Sequence, residues 1–136
     1  MNSIGSGRKV ALVDSGSPLA REGALELRER YDWVEPEEAD VIVALGGDGF
    51  MLQTLHDTER LALPVYGMNC GTIGFLMNAF SLDDLPMRLQ AAEEAVINPL
   101  AMRAETVSGR IEEGLAINEV SLLRAGPQAA KLRISV

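Results

Sequence analysis

The run Val41-Ile42-Val43-Ala44-Leu45 stops abruptly at Gly46-Gly47-Asp48-Gly49, and from Phe50 to about Glu59 the chain reads as a helix with Met51, Leu52 and Leu55 apolar. No other feature constrains the fold as much. A β-branched run without polar alternation suits a strand covered on both faces, as in a parallel sheet. The same order recurs on either side of it. Val10-Ala11-Leu12-Val13 reads as a buried strand, and Ser17-Pro18 supplies a hydroxyl cap followed by proline at the first helical position. Ala20, Ala24, Leu27 and Tyr31 then line one helical stripe, which Gly23 weakens. Pro64-Val65-Tyr66-Gly67-Met68 is a third strand, followed by a glycine-rich loop from Asn69 to Gly74. Ser81-Leu82-Asp83-Asp84 matches a capping box and predicts a helix to about Ala95. Strand and helix alternate repeatedly, so the expected fold class is α/β, a parallel sheet with helices on both faces.

The pattern changes after Asn98-Pro99. Met102 to Val107, Gly114 to Leu123 and Lys131 to Val136 read as strands with no helical stripe between them. Two domains are expected: an α/β domain over 1–96 and the first strands of an all-β domain over 97–136. The final alternation, Lys131-Leu132-Arg133-Ile134-Ser135-Val136, reads as a strand without a closing turn, so the chain is expected to be part of something longer. Met1 to Gly7 reads as a loose tail, and Glu35 to Asp40 as a solvated acidic turn.

Composition excludes several classes. With 20 acidic and 12 basic residues the formal net charge is −8, which argues against general binding to a nucleic-acid backbone. A small anionic ligand is still possible, because backbone amides can hold it locally. No run approaches the about 20 apolar residues of a membrane span. The apolar stretch after Arg8-Lys9 ends at Asp14, short of a secretory signal. The single cysteine, Cys70, cannot form an internal disulfide, and a cytoplasmic setting is expected.

Three patches could carry chemistry. The first, Gly46-Gly47-Asp48-Gly49, lies between a buried strand and a helix, the usual ligand position in open α/β sheets. Its glycines admit a close backbone approach, and the helix N-terminus offers amides suited to phosphate. Asp48 adds a carboxylate, repulsive beside phosphate unless it accepts a hydroxyl's hydrogen bond or reaches a metal. The plainer alternative is a tight turn with Asp48 as helix cap. Neither Gly-x-Gly-x-x-Gly nor Gly-Lys-Ser/Thr occurs, so the Rossmann fingerprint and the Walker loop are absent. The second patch, Gly67-Met68-Asn69-Cys70-Gly71-Thr72-Ile73-Gly74-Phe75-Leu76, also follows a strand and is expected on the same sheet edge. Phe75 could stack on a base or join the core. The third, Ala116-Ile117-Asn118-Glu119-Val120, sets an adjacent Asn-Glu pair in a strand pattern. Inside a strand one of the two points inward and needs a partner, for which a ribose hydroxyl would serve. At a strand end both would be solvated.

The remaining residues offer less. His56 is the only histidine and reads as exposed on its helix; Trp33 and Tyr31 read as packing at the end of the first helix. Cys70 reads as a small residue packed in a loop. Neither a zinc cluster nor a Ser/His/Asp constellation can be assembled.

In this order, Leu45-Gly46-Gly47-Asp48-Gly49, the loop from Gly67 to Leu76, and Ile117-Asn118-Glu119-Val120 resemble the NAD kinase family, over a match running from about Val10 to Val136. Gly-Gly-Asp-Gly alone is shared with phosphofructokinases and diacylglycerol kinases; the three motifs together are far more specific. The resemblance implies transfer of the γ-phosphoryl of ATP, or of polyphosphate, to the 2′-hydroxyl of the adenosine ribose of NAD, with a divalent metal, usually Mg²⁺. It implies that Asp48 is the catalytic carboxylate facing the 2′-hydroxyl, that Gly49 sits with it against the dinucleotide, that Phe75 contacts the adenine side, and that Asn118 and Glu119 hold the dinucleotide. Asn69 belongs to the same nucleotide-binding set. Gln53 stands where many members carry a basic residue, leaving a hydrogen bond in place of a charge contact. A homo-oligomer, dimer or tetramer, is implied, as is further β-structure, without which this stretch is expected to be inactive. The rival expectations are another Gly-Gly-Asp-Gly kinase, of diacylglycerol or sugar-phosphate type, and a non-catalytic nucleotide-binding or assembly domain.

Overall fold

The computed structural model describes residue 4 and residues 7–71, 74 and 76–136. The chain forms two compact units, Met1–Ala95 and Val96–Val136.

In the first unit, β1 (Val10–Asp14), β2 (Val41–Gly46), β3 (Val65–Asn69) and β4 (Asn78–Ala79) make a parallel sheet in that order. Leu12 pairs with Val43 and Val43 with Tyr66, while Gly46 pairs with Asn69 at the carboxyl ends. Every residue of β2 is buried, which is why its sequence needs no polar alternation.

Helix α1 (Pro18–Arg30) starts where its sequence starts it. The Ser17 Oγ accepts the Ala20 N–H at 3.3 Å, and Pro18 occupies the first turn, where its missing N–H costs nothing. Ala20, Ala24 and Leu27 are buried, and Tyr31 closes the helix by donating its N–H to the Leu27 carbonyl at 3.0 Å. This stripe joins Val10, Leu12, Val41, Val43, Leu45, Tyr66 and Met68 in one core, with Leu85 from α3 (Leu85–Ala91). Burying a side chain such as Leu27 contributes about 1.5–3 kcal/mol. Trp33 Nε1–H donates to the Leu27 carbonyl at 3.0 Å, and its ring meets Tyr31 edge-on at 6.5 Å. The Tyr31 hydroxyl donates to the Leu82 carbonyl at 2.7 Å. The opposite sheet face is met by α2 (Asp48–Asp57): Met51 lies where a side chain on Gly67 would point.

The expected bounds of two helices need correction. Helix α2 begins at Asp48, not Phe50, and ends at Asp57, with Glu59–Leu61 a separate 3₁₀ turn. At its end the Thr58 N–H and hydroxyl both donate to the Thr54 carbonyl, at 2.9 and 2.7 Å, which closes the last turn. The third helix begins at Leu85 rather than at Ser81, and ends at Ala91. Pro86 is the reason: proline fits only the first turn, so a helix begun at Ser81 would carry it inside. Glu93 and Glu94 oppose extension at the carboxyl end, where the helix dipole disfavours anions.

The second unit is an antiparallel hairpin of β5 (Leu100–Glu105) and β6 (Ile111–Ala116), paired from Leu100–Ala116 to Glu105–Ile111. Its turn is closed by Thr106 N–H to the Arg110 carbonyl and Gly109 N–H to the Thr106 carbonyl, both 2.9 Å, with Gly109 at φ +84°. The expected strands at Gly114–Leu123 and Lys131–Val136 are therefore corrected: the second strand ends at Ala116, and residues 117–136 lie outside any strand. A strand requires a hydrogen-bonded neighbour, and the hairpin register supplies none to them. Among the described residues no helix is long and apolar enough to cross a membrane.

Candidate functional site

The carboxyl ends of β2 and β3 bring two glycine-bearing loops together at Asp48. Gly47 is the N-cap of α2, in extended conformation, and offers no side-chain cap. Asp48 is thus the first residue of the helix rather than its cap, and it sits half-buried where the helix dipole favours a negative charge. The first turn of α2 is set by close packing of Phe50 on Gly46: a Cβ on Gly46 would lie 2.9 Å from Phe50 Cβ.

The second loop holds the carboxylate. The Leu76 N–H donates to Asp48 Oδ1 at 3.1 Å. The backbone of Gly74 lies against the same group, so that a Cβ there would come within 2.7 Å of Asp48 Cγ. At the loop's start, the Cys70 N–H donates to the Gly46 carbonyl at 3.1 Å, tying the ends of β2 and β3 together. Asn69, the last residue of β3, is half-buried and in register with Gly46. At the loop's end the Asn78 amide donates to the Gly67 carbonyl at 3.1 Å. Sequence reading placed Gly74 and Leu76 in the second patch without assigning them a partner, and missed Asn78. The spacing of Gly71 and Gly74 was the available signal, but it does not say which group the loop encloses.

Gly49 is exposed, with open space where a side chain would be. Gln53, one turn beyond Gly49, shares its solvent-facing side and donates from Nε2 to Asp57 Oδ1 at 2.7 Å. Five residues carry it about 140° round the helix from Asp48. Phe75 lies outside the described residues. Asn118 and Glu119 follow the end of β6, and both are exposed. The inward-facing member expected from strand alternation does not exist, because alternation holds only inside a strand. His56 is exposed on α2, as its sequence position suggested.

Cys70 is half-buried, and its thiol is pushed up by burial, with the charge of Asp14 adding to the effect. It is a packed thiol, not an activated one. Asp14 accepts the Gly16 N–H at 2.9 Å and faces Arg28 at 3.9 Å. The described residues include no group of three acidic, histidine or cysteine side chains able to hold a metal. Chemically, the site offers a carboxylate held by the Leu76 N–H and packed against Gly74, beside an open glycine turn and a helix N-terminus. Such a pairing can hold a hydroxyl group close to a phosphate.

Comparison with known proteins gives concordant matches. Residues 10–97 match the family model described as the ATP-NAD kinase N-terminal domain. A protein of Cereibacter sphaeroides named NAD kinase is 57% identical over 129 residues, covering 95% of this chain and 51% of its own length. Proteins of the same name from Caulobacter vibrioides and Hyphomonas neptunium are 54% and 49% identical, each over 128 residues and 94% of this chain, and 49% and 50% of their own lengths. The chain spans about half the length of the relatives it matches.

Proposed function

The chain belongs to the NAD kinase family, and from that premise we propose that the protein transfers the γ-phosphoryl group of ATP to the 2′-hydroxyl of the adenosine ribose of NAD, forming NADP. Asp48 is the catalytic carboxylate. It accepts the hydroxyl proton as the ribose oxygen bonds to the γ-phosphorus and the bond from that phosphorus to the β,γ-bridging oxygen breaks. Phosphoryl transfer asks mainly for positioning and charge stabilisation, and a single held carboxylate meets the requirement for a base. The observation that carries the reading is the seat of Asp48, fixed at the start of α2 and hydrogen-bonded by the Leu76 N–H at 3.1 Å.

Gly49, Gln53, Asn69, Phe75, Asn118 and Glu119 form the proposed dinucleotide-binding set. The amides at the start of α2 and the open turn at Gly47 favour the phosphates. A divalent cation such as Mg²⁺, when bound, neutralises charge on the transferring phosphates. The described residues supply no three-ligand cage for it. Polyphosphate is an alternative donor. We propose further that the protein is a cytoplasmic homo-oligomer, dimer or tetramer.

The test is NADP formation by the full polypeptide encoded by the gene, wild type against Asp48→Asn. Asparagine keeps an oxygen to accept the Leu76 N–H but removes the base, so turnover should fall by a factor on the order of 10²–10⁴. Equal turnover would remove Asp48 from its role. A panel with diacylglycerol and sugar phosphates separates the rival kinases, and calorimetry with NAD separates binding without turnover.

A further inference from the structure

From the contact between Gly74 and the Asp48 carboxylate we infer that Gly74 is a positioning residue for phosphoryl transfer: its missing side chain is the space in which the catalytic carboxylate is held. This rests on the reading of Asp48 given above. A Cβ built on Gly74 would lie within 2.7 Å of Asp48 Cγ and 2.9 Å of Oδ2, closer than real Cβ contacts. Two residues on, the Leu76 N–H donates to Asp48 Oδ1 at 3.1 Å. One loop therefore fixes the carboxylate twice, by a hydrogen bond and by a steric seat that only glycine leaves open.

The consequence for function follows from which group must yield. A methyl group at position 74 meets a side-chain terminus, not backbone. The least costly relief is rotation of Asp48 about its own side-chain bonds, away from Leu76. The fold survives such a rotation, whereas the carboxylate leaves its place. A displacement of about 1 Å in a reacting group can cost about a hundredfold in rate. Gly74→Ala should thus depress kcat about a hundredfold, leave KM for NAD nearly unchanged, and keep the melting temperature near that of the wild type.

The test is made on the full gene product, with Gly74→Ala, Asp48→Asn and the double variant. If Gly74 acts through Asp48, the double variant is no slower than Asp48→Asn alone, since there is no base left to misplace. A second readout needs no turnover. In ¹⁵N-labelled protein the Leu76 amide cross-peak should move on Asp48→Ala when position 74 is glycine, and stay still in the Gly74→Ala background. Wild-type turnover by Gly74→Ala beside an inactive Asp48→Asn overturns this inference alone. So do losses that multiply in the double variant, an equal cross-peak movement in both backgrounds, or a Gly74→Ala protein that does not fold. Full activity in Asp48→Asn is a separate result: it removes Asp48 from catalysis and this inference with it.

Discussion

Gly46→Ala tests how the turn into α2 is built, because two effects at that position have opposite signs. Gly46 is the last residue of β2 and buried, and its φ is not positive, so alanine suffers no backbone strain there. On backbone entropy alone, replacing a strand glycine with alanine should stabilise by roughly 0.5–1 kcal/mol. Packing opposes this. The new methyl would sit 2.8 Å from Phe50 Cδ1, 2.9 Å from its Cβ and 3.1 Å from its Cγ. The Cβ contact is decisive, since that atom is tethered to the first turn of α2 and rotation of the ring does not move it. Overpacking of this kind typically costs about 1–3 kcal/mol. The upper part of that range applies, and the net loss is about 1–2 kcal/mol once the entropy gain of roughly 0.5–1 kcal/mol is taken off. For a unit of this size each kcal/mol corresponds to roughly 4–8 °C in melting temperature, so the transition should fall by roughly 4–16 °C. Thermal unfolding of the chain followed by circular dichroism reads it directly. A variant melting at or above the wild type would refute the claim that Phe50 is wedged against Gly46. The site reading would then lose its account of how α2 is aimed.

Two further outcomes concern the core and its titration. Leu27→Ala removes a fully buried side chain from the stripe that joins α1 to the sheet, and should cost about 2–5 kcal/mol in a denaturant titration; a loss below about 1 kcal/mol would mean that the site collapses to fill the space. Tyr66 has its hydroxyl pushed up first by burial, with Asp84 adding and Arg88 opposing. Because the folded state holds that proton more tightly than the unfolded chain, stability intact below about pH 10 should fall as pH rises through the folded value. Tyr66→Phe should flatten that alkaline decline, and an unchanged decline would assign it to other groups.

How much was legible in the sequence differs by element. The stripe Ala20, Ala24, Leu27 and Tyr31 and the cap at Ser17-Pro18 carried α1 fully, since cap and stripe are local signals. The continuous run at Val41 carried a strand buried on both faces. The bounds of α3 were misread because the capping box at Ser81 outweighed Pro86, although proline decides where a helix can begin. The last strands were misread because alternation was taken as sufficient, whereas pairing makes a strand. At the site, Asp48 and its glycines stood out because a charge in a glycine turn is conspicuous. Gly74, Leu76 and Asn78 did not, for their roles depend on a neighbour more than ten residues away in the chain.

The sequence by itself determined the parallel α/β class, the start of α1, the position of β2 and the family to which the chain belongs. All of these rest on local patterns: burial read from β-branching, capping read from residue type, and ordered motifs. Tertiary structure decided that Asp48 opens α2 instead of capping it, that Gln53 turns to Asp57 and away from the carboxylate, and that Asn118 and Glu119 lie outside a strand. It also decided that Gly74 and the Leu76 N–H close around Asp48. The physical reason is one of range. A cap or a stripe involves residues a turn apart, whereas the seat of a carboxylate is made by a second loop that only sheet pairing brings alongside.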